Sequence, residues 1–417
     1  MLAEQRRFEE SAQALERAIA LDPRDADAHY LMGQACQRRD RLEEAAKHFG
    51  AALERRSDFV EARHALGVAL RLLGKLDDAL SCFDRVLSQR PDFAESRFNM
   101  ALILLLRGDL ARGFELFESR LEARRSPQIE AWLTRVAKQP GLKRWRGEEL
   151  GGKRLLVWTE EGAGDCLMMM RYLPLLAAKG GREIAVLCDP SLARLCQQLP
   201  NVASASSAVE SLPLRAFDFH CSIMSMPALF ATRADSIPDA VPYLQVPHEL
   251  QERWRGRLAA LPGLRAGLVW AGSRDYGRDF LRSVRPRQLA PLLGVSGVSF
   301  VSLQKGVAPE ERRELPGSLA DWMDECRDFM DTASLVLNLD LVISVDTSVA
   351  HLAGALGKPV WLFNRSESEW RWQLGREDSP WYPTLRIFTQ SVPGDWDGVA
   401  RRMAAALARL AQSRPGP

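Results

Sequence analysis

Small and apolar residues recur with a period of 34 positions in the first part of the chain. The period pairs Gly33 with Gly67, Ala45 with Ala79, and Phe49 with Phe83, and it separates Pro23 from Pro91 by two steps. A fixed period of this length indicates stacked helical hairpins. The small residues predict that two antiparallel helices approach closely. The phenylalanines are expected to fill the space between one helix pair and the next, and the prolines to mark the turns. Counted back from Ala45, the chain begins inside a repeat, so either it is truncated or more repeats precede it in a longer form.

Beyond about residue 150 the pattern changes to short apolar runs that alternate with helical stretches. The runs predict strands at 154–158, 183–187, 218–222, 266–270, 299–303, 341–345 and 359–363, and a last helix at 396–411. This alternation is typical of a doubly wound parallel sheet. A proline-rich passage at 237–247 interrupts it, so we expect two Rossmann-like domains that face a cleft.

The predicted fold class is therefore an N-terminal α-solenoid followed by two α/β domains. We place the solenoid at 1–122, a linker at 123–150, the first Rossmann-like domain at 151–250 and the second at 251–417. All 11 tryptophans follow residue 131, and this shift in composition supports the boundary.

Charge and cysteine usage exclude several classes of protein. Lys and Arg total 56 against 54 Asp and Glu, a balance that argues against a dedicated nucleic-acid or polybasic membrane binder. The N-terminus lacks the apolar core of a signal peptide, and the densest apolar run, 100–106, is far shorter than the ~20 residues of a membrane span. Seven cysteines with no C-x-x-C pair indicate free thiols, so we expect a cytoplasmic protein.

The 34-residue motif resembles the tetratricopeptide repeat (TPR). The motif positions are Leu66, Gly67, Leu70, Ala79, Phe83 and Pro91, with His29, Arg63 and Arg97 where the family usually has a large residue. The resemblance covers about three and a half repeats over 1–122. It implies a concave face that binds a peptide or protein partner. The alternative is that the repeats only brace the domain that follows.

The sharpest candidate site is the turn after the predicted strand 341–345. Asp346, Thr347 and Ser348 stand where a helix begins, and His351 lies one turn into it. Unpaired backbone N–H groups and the positive end of a helix suit a diphosphate. The alternative is that Asp346 or Thr347 only caps the helix, with His351 packed against the sheet.

A second candidate turn follows the predicted strand 154–158. Gly162 and Gly164 permit a tight turn and close approach of a ligand to the backbone, and Asp165 then stands at the cleft mouth. The alternative is that Asp165 caps the helix that starts there. A dinucleotide-binding loop is a weaker interpretation, because the third glycine of that motif is missing.

The run Asp346-Thr347 followed by His351 closely resembles the donor-site signature of the heptosyltransferase-like glycosyltransferases, which have the GT-B fold. Matches extend over about 143–400. The resemblance implies that this run binds the sugar and phosphates of a nucleotide sugar. It also implies that Asp165 is the general base on the acceptor hydroxyl; Glu160 and Glu161 on the same turn are the next candidates.

The resemblance places phosphate contacts on the loop 267–284. Gly272 and Ser273 match its turn, and Arg282 matches its basic residue. The family spacer is rich in Asn and Arg, and this chain departs from it, which leaves Arg278 as an alternative to Arg282. A solvated charged loop is the other interpretation.

Gln304 and Lys305 follow the predicted strand 299–303 and are expected to face the nucleotide, although Lys305 fits a surface lysine as well. The aromatic block 370–383 is expected either to wall the cleft or to pack the last helix onto the first Rossmann-like domain. The two D-x-D pairs begin at Asp25 and Asp395 and follow no strand. We therefore expect neither a metal nor another cofactor.

Together these features predict an inverting, metal-independent glycosyltransferase. The nucleotide sugar would be the donor, and a Ser/Thr hydroxyl of a protein recruited by the TPR array would be the acceptor. The combination resembles bacterial TPR-glycosyltransferases that modify flagellin or other surface proteins. The alternatives are transfer to a lipopolysaccharide core, and a non-catalytic TPR scaffold whose transferase domain has decayed.

Overall fold

The computed structural model describes residues 2–123, 127–208, 212–273, 277–316 and 318–413. Contacts divide the chain into two compact units, Met1–Ser126 and Pro127–Pro417. Residues 124–126 of the predicted linker and 274–276 of the predicted phosphate loop lie outside the described residues.

The first unit is built from antiparallel helices. They are α1 (Leu2–Leu21), α2 (Ala26–Arg38), α3 (Leu42–Arg55), α4 (Val60–Leu72), α5 (Leu76–Gln89), α6 (Ala94–Leu106), α7 (Leu110–Phe117) and α8 (Arg120–Ala123). Helices α2 and α3, α4 and α5, and α6 and α7 pack as hairpins. Helix α1 packs on α2.

The predicted close approach of helices is observed at Gly33 and Gly67, and a phenylalanine of the same hairpin packs against each glycine. A Cβ atom on Gly33 would lie 2.5 Å from Cε1 of Phe49, and one on Gly67 would lie 2.6 Å from Cε1 of Phe83. Both phenylalanines are fully buried, and Phe49 shares its core cluster with Ala69 of the next hairpin. The ring therefore fills both its own hairpin and the space to the next.

The second unit begins with one parallel sheet. Its strands are β1 (Lys143–Arg144), β2 (Arg154–Trp158), β3 (Glu183–Leu187), β4 (Val202–Ser206) and β5 (Phe219–Ser222), in the order β1-β5-β2-β3-β4. The helices of this half are α9 (Pro127–Ala137), α10 (Ala163–Met169), α11 (Leu175–Ala178), α12 (Ala193–Cys196) and α13 (Met226–Leu229).

A second parallel sheet completes the unit. Its strands are β6 (Leu264–Val269), β7 (Val298–Ser302), β8 (Ala320–Asp321), β9 (Leu341–Val345), β10 (Val360–Asn364) and β11 (Leu385–Thr389), in the order β11-β10-β9-β6-β7-β8. The helices are α14 (His248–Ala259), α15 (Ala290–Leu293), α16 (Pro309–Glu314), α17 (Phe329–Leu337), α18 (Ser348–Ala355) and α19 (Trp396–Gln412).

Strand order locates the candidate site. Counted from β6, the second sheet has the doubly wound order 3-2-1-4-5-6, and its direction reverses between β6 and β9. The first sheet reverses in the same way between β2 and β5. Ligands of such sheets bind beyond the carboxyl ends of the strands at these switch points. The loops after β2, β5, β6 and β9 are therefore the places to look.

The predicted strands are all observed within two residues of their predicted ends, but the predicted linker is largely wrong. Residues 127–150 contain α9 and β1. Strand β1 pairs with β5, and the ring of Trp132 on α9 lies 6.0 Å from that of Trp158. The sequence hid this because β1 is two charged residues long and shows no alternation.

The last helix packs on the second sheet, not on the first. Trp396, Val399 and Met403 of α19 belong to its core, and Trp396 meets Phe363 of β10 edge to face. The packing role suggested for the aromatic block is therefore wrong as far as the last helix is concerned. All seven cysteines are free thiols. Within the described ranges, no helix has the length and apolar character needed to cross a membrane.

Candidate functional site

The turn between β9 and α18 leaves backbone donors available. Thr347 occupies the N-cap position, but its side chain makes no capping hydrogen bond, and its Oγ1 lies 3.0 Å from Oγ of Ser344. The N–H of Ala350 donates to the carbonyl of Thr347, whereas those of Ser348 and Val349 have no acceptor among the described residues. The capping alternative therefore does not apply, and these donors suit an anion.

Arg282 lies against this turn. Its Nη1 donates to the carbonyl of Asp346 at 2.9 Å, and its Nε donates to Oδ1 of Asp279 at 2.8 Å. Asp279 also accepts from Oγ of Ser283 at 2.6 Å, and that Oγ accepts from the N–H of Gly272 at 3.1 Å. Asp279 thus organises the loop after β6 and aims Arg282 at the start of α18, a role the sequence did not suggest.

Glycine is required at position 272 for this arrangement. A Cβ atom there would lie 2.1 Å from Oδ1 of Asp279 and 2.4 Å from Nη2 of Arg282. Ser273, which follows it, is exposed. The structure therefore brings together Gly272, Ser273 and Arg282 with the turn after β9, as the sequence predicted; phosphate contact by these residues stays a prediction.

The side chains of Gln304 and Lys305 form hydrogen bonds with backbone groups. Oε1 of Gln304 accepts from the N–H groups of Trp270 at 3.2 Å and Ala271 at 2.9 Å, directly after β6. Nζ of Lys305 donates to the carbonyl of Cys326. Gln304 thus positions the loop that carries Arg282, and nucleotide contact by either residue stays a prediction.

Asp165 is paired with an arginine from the other half of the unit. The N-cap position of α10 is Gly162, so Asp165 does not cap that helix. Its Oδ1 accepts from Nε of Arg371 at 2.8 Å and also from Nη2. The Asp165 side chain is 11% exposed and that of Arg371 is 17% exposed, so the pair is largely sheltered from water. Arg371 lies inside the aromatic block, and sequence reasoning missed it.

Arg371 is surrounded by carboxylates. Burial would lower the pKa of Arg371, but Asp165, Asp346 and Glu369 raise it above its ordinary value. Nη1 of Arg371 lies 3.9 Å from Oε2 of Glu369. The guanidinium is therefore always charged, and it compensates several negative groups at the cleft.

His351 is buried and neutral. Its Nδ1 lies 3.0 Å from Oη of Tyr382, and its ring stacks on Trp372 with centroids 5.0 Å apart. Nε2 lies 4.0 Å from Oδ1 of Asp346. Burial first, and then the charge of Arg371, lower the pKa of His351 to about 3. The imidazole is therefore neutral at neutral pH in this environment, and its contact with a ligand stays a prediction.

Gly164 sets the distance between the two helix starts. A Cβ atom there would lie 2.8 Å from Cδ2 of His351 and 3.4 Å from Cα of Ser348. The space beside Gly164, where the sequence had suggested a ligand, is filled by α18. The small residue allows the starts of α10 and α18 to meet.

The remaining candidate residues lie away from the contact between α10 and α18, or they have a structural role. Glu160 is buried and accepts from Oγ of Ser222, which joins the turns after β2 and β5. Asp25 caps α2 and Asp395 caps α19 through backbone N–H groups. Both D-x-D pairs therefore have a local structural role. In the described ranges, no group of three His, Cys, Asp or Glu is arranged to hold a metal ion.

Comparison with protein families identifies the first unit. A model described as "TPR repeat" matches residues 1–40, and one described as "Tetratricopeptide repeat" matches residues 37–80 and 64–128. The first unit is a TPR array. The sequence prediction of these repeats is confirmed.

One curated protein is similar over most of the chain. Protein FlbA of Caulobacter vibrioides (strain ATCC 19089 / CIP 103742 / CB 15) is 32% identical over 325 residues, which is 72% of this chain and 53% of FlbA. The chain therefore spans about half the length of this relative.

Solved structures resemble each of the two units, with low TM-scores. The glycosyl transferase family 9 structure from Veillonella parvula DSM 2008 covers 64% of this chain and 99% of its own, with 10% identity and a TM-score of 0.47. MamA covers 31% of this chain and 71% of its own, with 20% identity and a TM-score of 0.27. YrrB, a TPR protein with an unusual peptide-binding site, covers 30% and 63%, with 24% identity and a TM-score of 0.26. The α/β architecture of the second unit is therefore assigned from its own strand order.

Proposed function

We propose that the second unit is a glycosyltransferase that uses a nucleotide sugar. The observation that carries this proposal is the meeting of α10 and α18 at the two switch points, which sets the Asp165 carboxylate beside the uncapped start of α18. Helix α10 carries a carboxylate that can act as a base, and the start of α18 carries N–H donors that can bind an anion. Transfer from an activated diphosphate needs both functions within one cleft.

The donor diphosphate would bind at the second sheet. The N–H groups of Ser348 and Val349 face the anion, the hydroxyls of Thr347 and Ser348 stand beside them, and Arg282 adds a fixed positive charge. Ser273, Lys305 and Gln304 would complete the contacts. We propose that these groups make a metal ion unnecessary.

The reaction would be a single displacement. The acceptor hydroxyl oxygen attacks the anomeric carbon while Asp165 takes the hydroxyl proton. The bond from the anomeric carbon to the diphosphate breaks, and its electron pair leaves with the diphosphate. One in-line step inverts the anomeric configuration. General-base assistance of this kind typically contributes 10²–10⁴-fold to a rate.

The acceptor is proposed to be a protein Ser or Thr hydroxyl. TPR arrays bind polypeptide segments on their concave face, and this chain begins with such an array. Together with the resemblance to TPR-glycosyltransferases, this favours a flagellin-like or other surface protein that is modified in the cytoplasm before export.

The donor site can be tested by thermal shift with the full chain. Nucleoside diphosphates and nucleotide sugars of uridine, guanosine, adenosine and cytidine are compared with the corresponding nucleosides. A ligand at 100 times its Kd adds about 2.7 kcal/mol to stability, which is easily measured. We expect the diphosphate form of one nucleotide to raise the melting temperature and its nucleoside to have little effect. No shift with any diphosphate would contradict the proposal.

A further inference from the structure

Arg371 stands on a turn whose backbone is firmly held. The N–H of Trp372 donates to the carbonyl of Glu369 at 3.0 Å, which closes the turn. Trp370 is buried edge-on against Trp381, and Trp372 is buried and stacks on His351. Arg371 lies between these two anchors, so its backbone is fixed and its guanidinium can change partner only by rotation of its own side chain.

The residue after the turn adds a further constraint. Gln373 is not glycine, yet it has φ of 57°, in the left-handed region, and it is buried. Such a conformation costs free energy and persists only where the surroundings impose it. The turn is thus held in place at some cost in backbone strain, and this holds Arg371 at the cleft.

The guanidinium has more than one acidic neighbour. It donates to Asp165 through Nε and Nη2, its Nη1 lies 3.9 Å from Glu369, and Asp346 at the start of α18 also favours its charge. A diphosphate bound at the start of α18 would bring further negative charge to this cation. It would therefore compete with Asp165 for the same N–H donors.

The pairing with Arg371 occupies the carboxylate oxygen that Asp165 would use as a base. Its Oδ1 accepts two N–H groups of a permanent cation, and both partners are largely buried. The lone pairs of this oxygen are therefore engaged by Arg371 and do not face an acceptor hydroxyl. Asp165 needs to lose this partner, at least in part, before it accepts the acceptor proton.

We propose that Arg371 is an additional ligand of the donor diphosphate, and that its transfer from Asp165 to the diphosphate frees Asp165 as the base. This inference rests on the function proposed above. It predicts ordered binding, in which the donor precedes the acceptor, because the base becomes available only after the diphosphate has drawn Arg371 away. Arg371 then stabilises the leaving diphosphate as well.

The test is a cycle of variants of the full chain, with binding measured by calorimetry. The probes are inorganic pyrophosphate and the diphosphates of uridine, guanosine, adenosine and cytidine. The variants are Asp165→Asn, Arg371→Gln and the two combined. The matched control is Arg386→Gln, which removes an exposed cation that pairs with Glu377 instead.

We expect Asp165→Asn to bind the diphosphate more tightly, by roughly 3- to 10-fold, because Arg371 no longer has to leave a charged partner. We expect Arg371→Gln to bind it at least about 10-fold more weakly, since a charge-assisted hydrogen bond is lost. The double variant should bind like Arg371→Gln, because the effect of Asp165 acts through Arg371. The control should bind like the wild type.

Equal or weaker diphosphate binding by Asp165→Asn overturns this inference, as does unchanged binding by Arg371→Gln. An ion pair that only braces the fold would lower the melting temperature of the single variants without this opposite pair of affinity changes. The double variant leaves no unpaired carboxylate at position 165, so it reports on binding even where Arg371→Gln folds poorly. If the wild type binds none of the probes, the proposed function fails together with the inference; binding that the variants do not change defeats the inference alone.

Discussion

Nε of Arg371 donates a 2.8 Å hydrogen bond to Oδ1 of Asp165, which lies 206 positions earlier in the chain. The pair joins the turn after β2 to the segment between β10 and β11, so the two halves of the second unit share one charged site. From the sequence, Asp165 is expected to act on the acceptor alone, with little influence on the donor. Because Asp165 pairs with Arg371, a change at Asp165 also changes the arginine beside the donor site, so the acceptor and donor roles are not independent.

Arg282 is predicted to be the phosphate ligand of the loop after β6. Arg282→Gln should weaken binding of the nucleoside diphosphate by about 1.5–3 kcal/mol, because it removes a charged donor held at the start of α18. Arg278→Gln on the same loop is the matched control and should have a much smaller effect. Calorimetry on both variants decides the choice, and a larger loss in Arg278→Gln would move the site.

The stability of the second unit should fall as the pH drops below about 6.5. Burial is the main cause that lowers the pKa of His351 to about 3 and of His220 to about 4. Unfolding returns both pKa values to about 6.5, so the unfolded chain binds more protons between these limits and acid favours unfolding. Each group then removes about 1.4 kcal/mol of unfolding free energy per pH unit.

Tryptophan fluorescence measures this effect in the second unit alone, because all 11 tryptophans lie beyond residue 131. Denaturant titrations from pH 7.5 to 5 should show the decline, and His220→Leu should remove about half of its slope. A slope that His220→Leu leaves unchanged would show that His220 is already protonated in the folded protein.

Alanine substitutions at two glycines of the same TPR hairpin, Gly33 and Gly50, should have opposite effects on stability. Gly33→Ala should lower the stability of the first unit by about 1–3 kcal/mol, because its Cβ would overlap the buried ring of Phe49. Gly50, beside Phe49 on α3, has nothing within 4 Å of an added Cβ. Gly50→Ala should therefore stabilise the helix by up to about 1 kcal/mol. Thermal unfolding followed by circular dichroism compares them, and equal shifts would refute the packing argument.

The repeats are predicted to serve acceptor recognition. Removal of residues 1–122 should abolish transfer to a protein acceptor and leave slow hydrolysis of the donor, as measured by product mass and by nucleoside diphosphate release. A truncated chain that becomes insoluble would instead favour a bracing role for the array.

The fold was largely predictable because its signals are local. The spacing of Gly33 and Phe49 reports a contact within one hairpin, and a run such as 341–345 is apolar because both faces of its strand are buried. The four edge strands, β1, β4, β8 and β11, escaped prediction. Strands β1 and β8 are only two residues long and carry charged residues. Their pairing is fixed by the neighbouring strand, which leaves no periodic trace in the sequence.

The site was predictable only in part. The sequence named Asp346 and Thr347 and left Arg278 and Arg282 as alternatives; in the structure Arg282 lies against the turn that carries Asp346. Arg371 was missed because it stands among tryptophans that suggest packing, and its partner is far away in sequence. The neutral state of His351 also escaped prediction, since burial by Trp372 and Tyr382 depends on the folded aromatic block.

The central claim is tested most directly by the turnover of a nucleotide sugar in the full-length protein, with Asp165→Asn as the paired variant. Asn keeps the size of Asp165 and can still accept a hydrogen bond from Arg371, so folding should survive and is checked by the melting temperature. The account predicts that the wild type releases nucleoside diphosphate from one nucleotide sugar. The variant should bind that donor at least as tightly and turn it over 10²–10⁴-fold more slowly. Near-normal turnover in Asp165→Asn would contradict the role of Asp165, and no release from any nucleotide sugar by the wild type would contradict the glycosyltransferase itself.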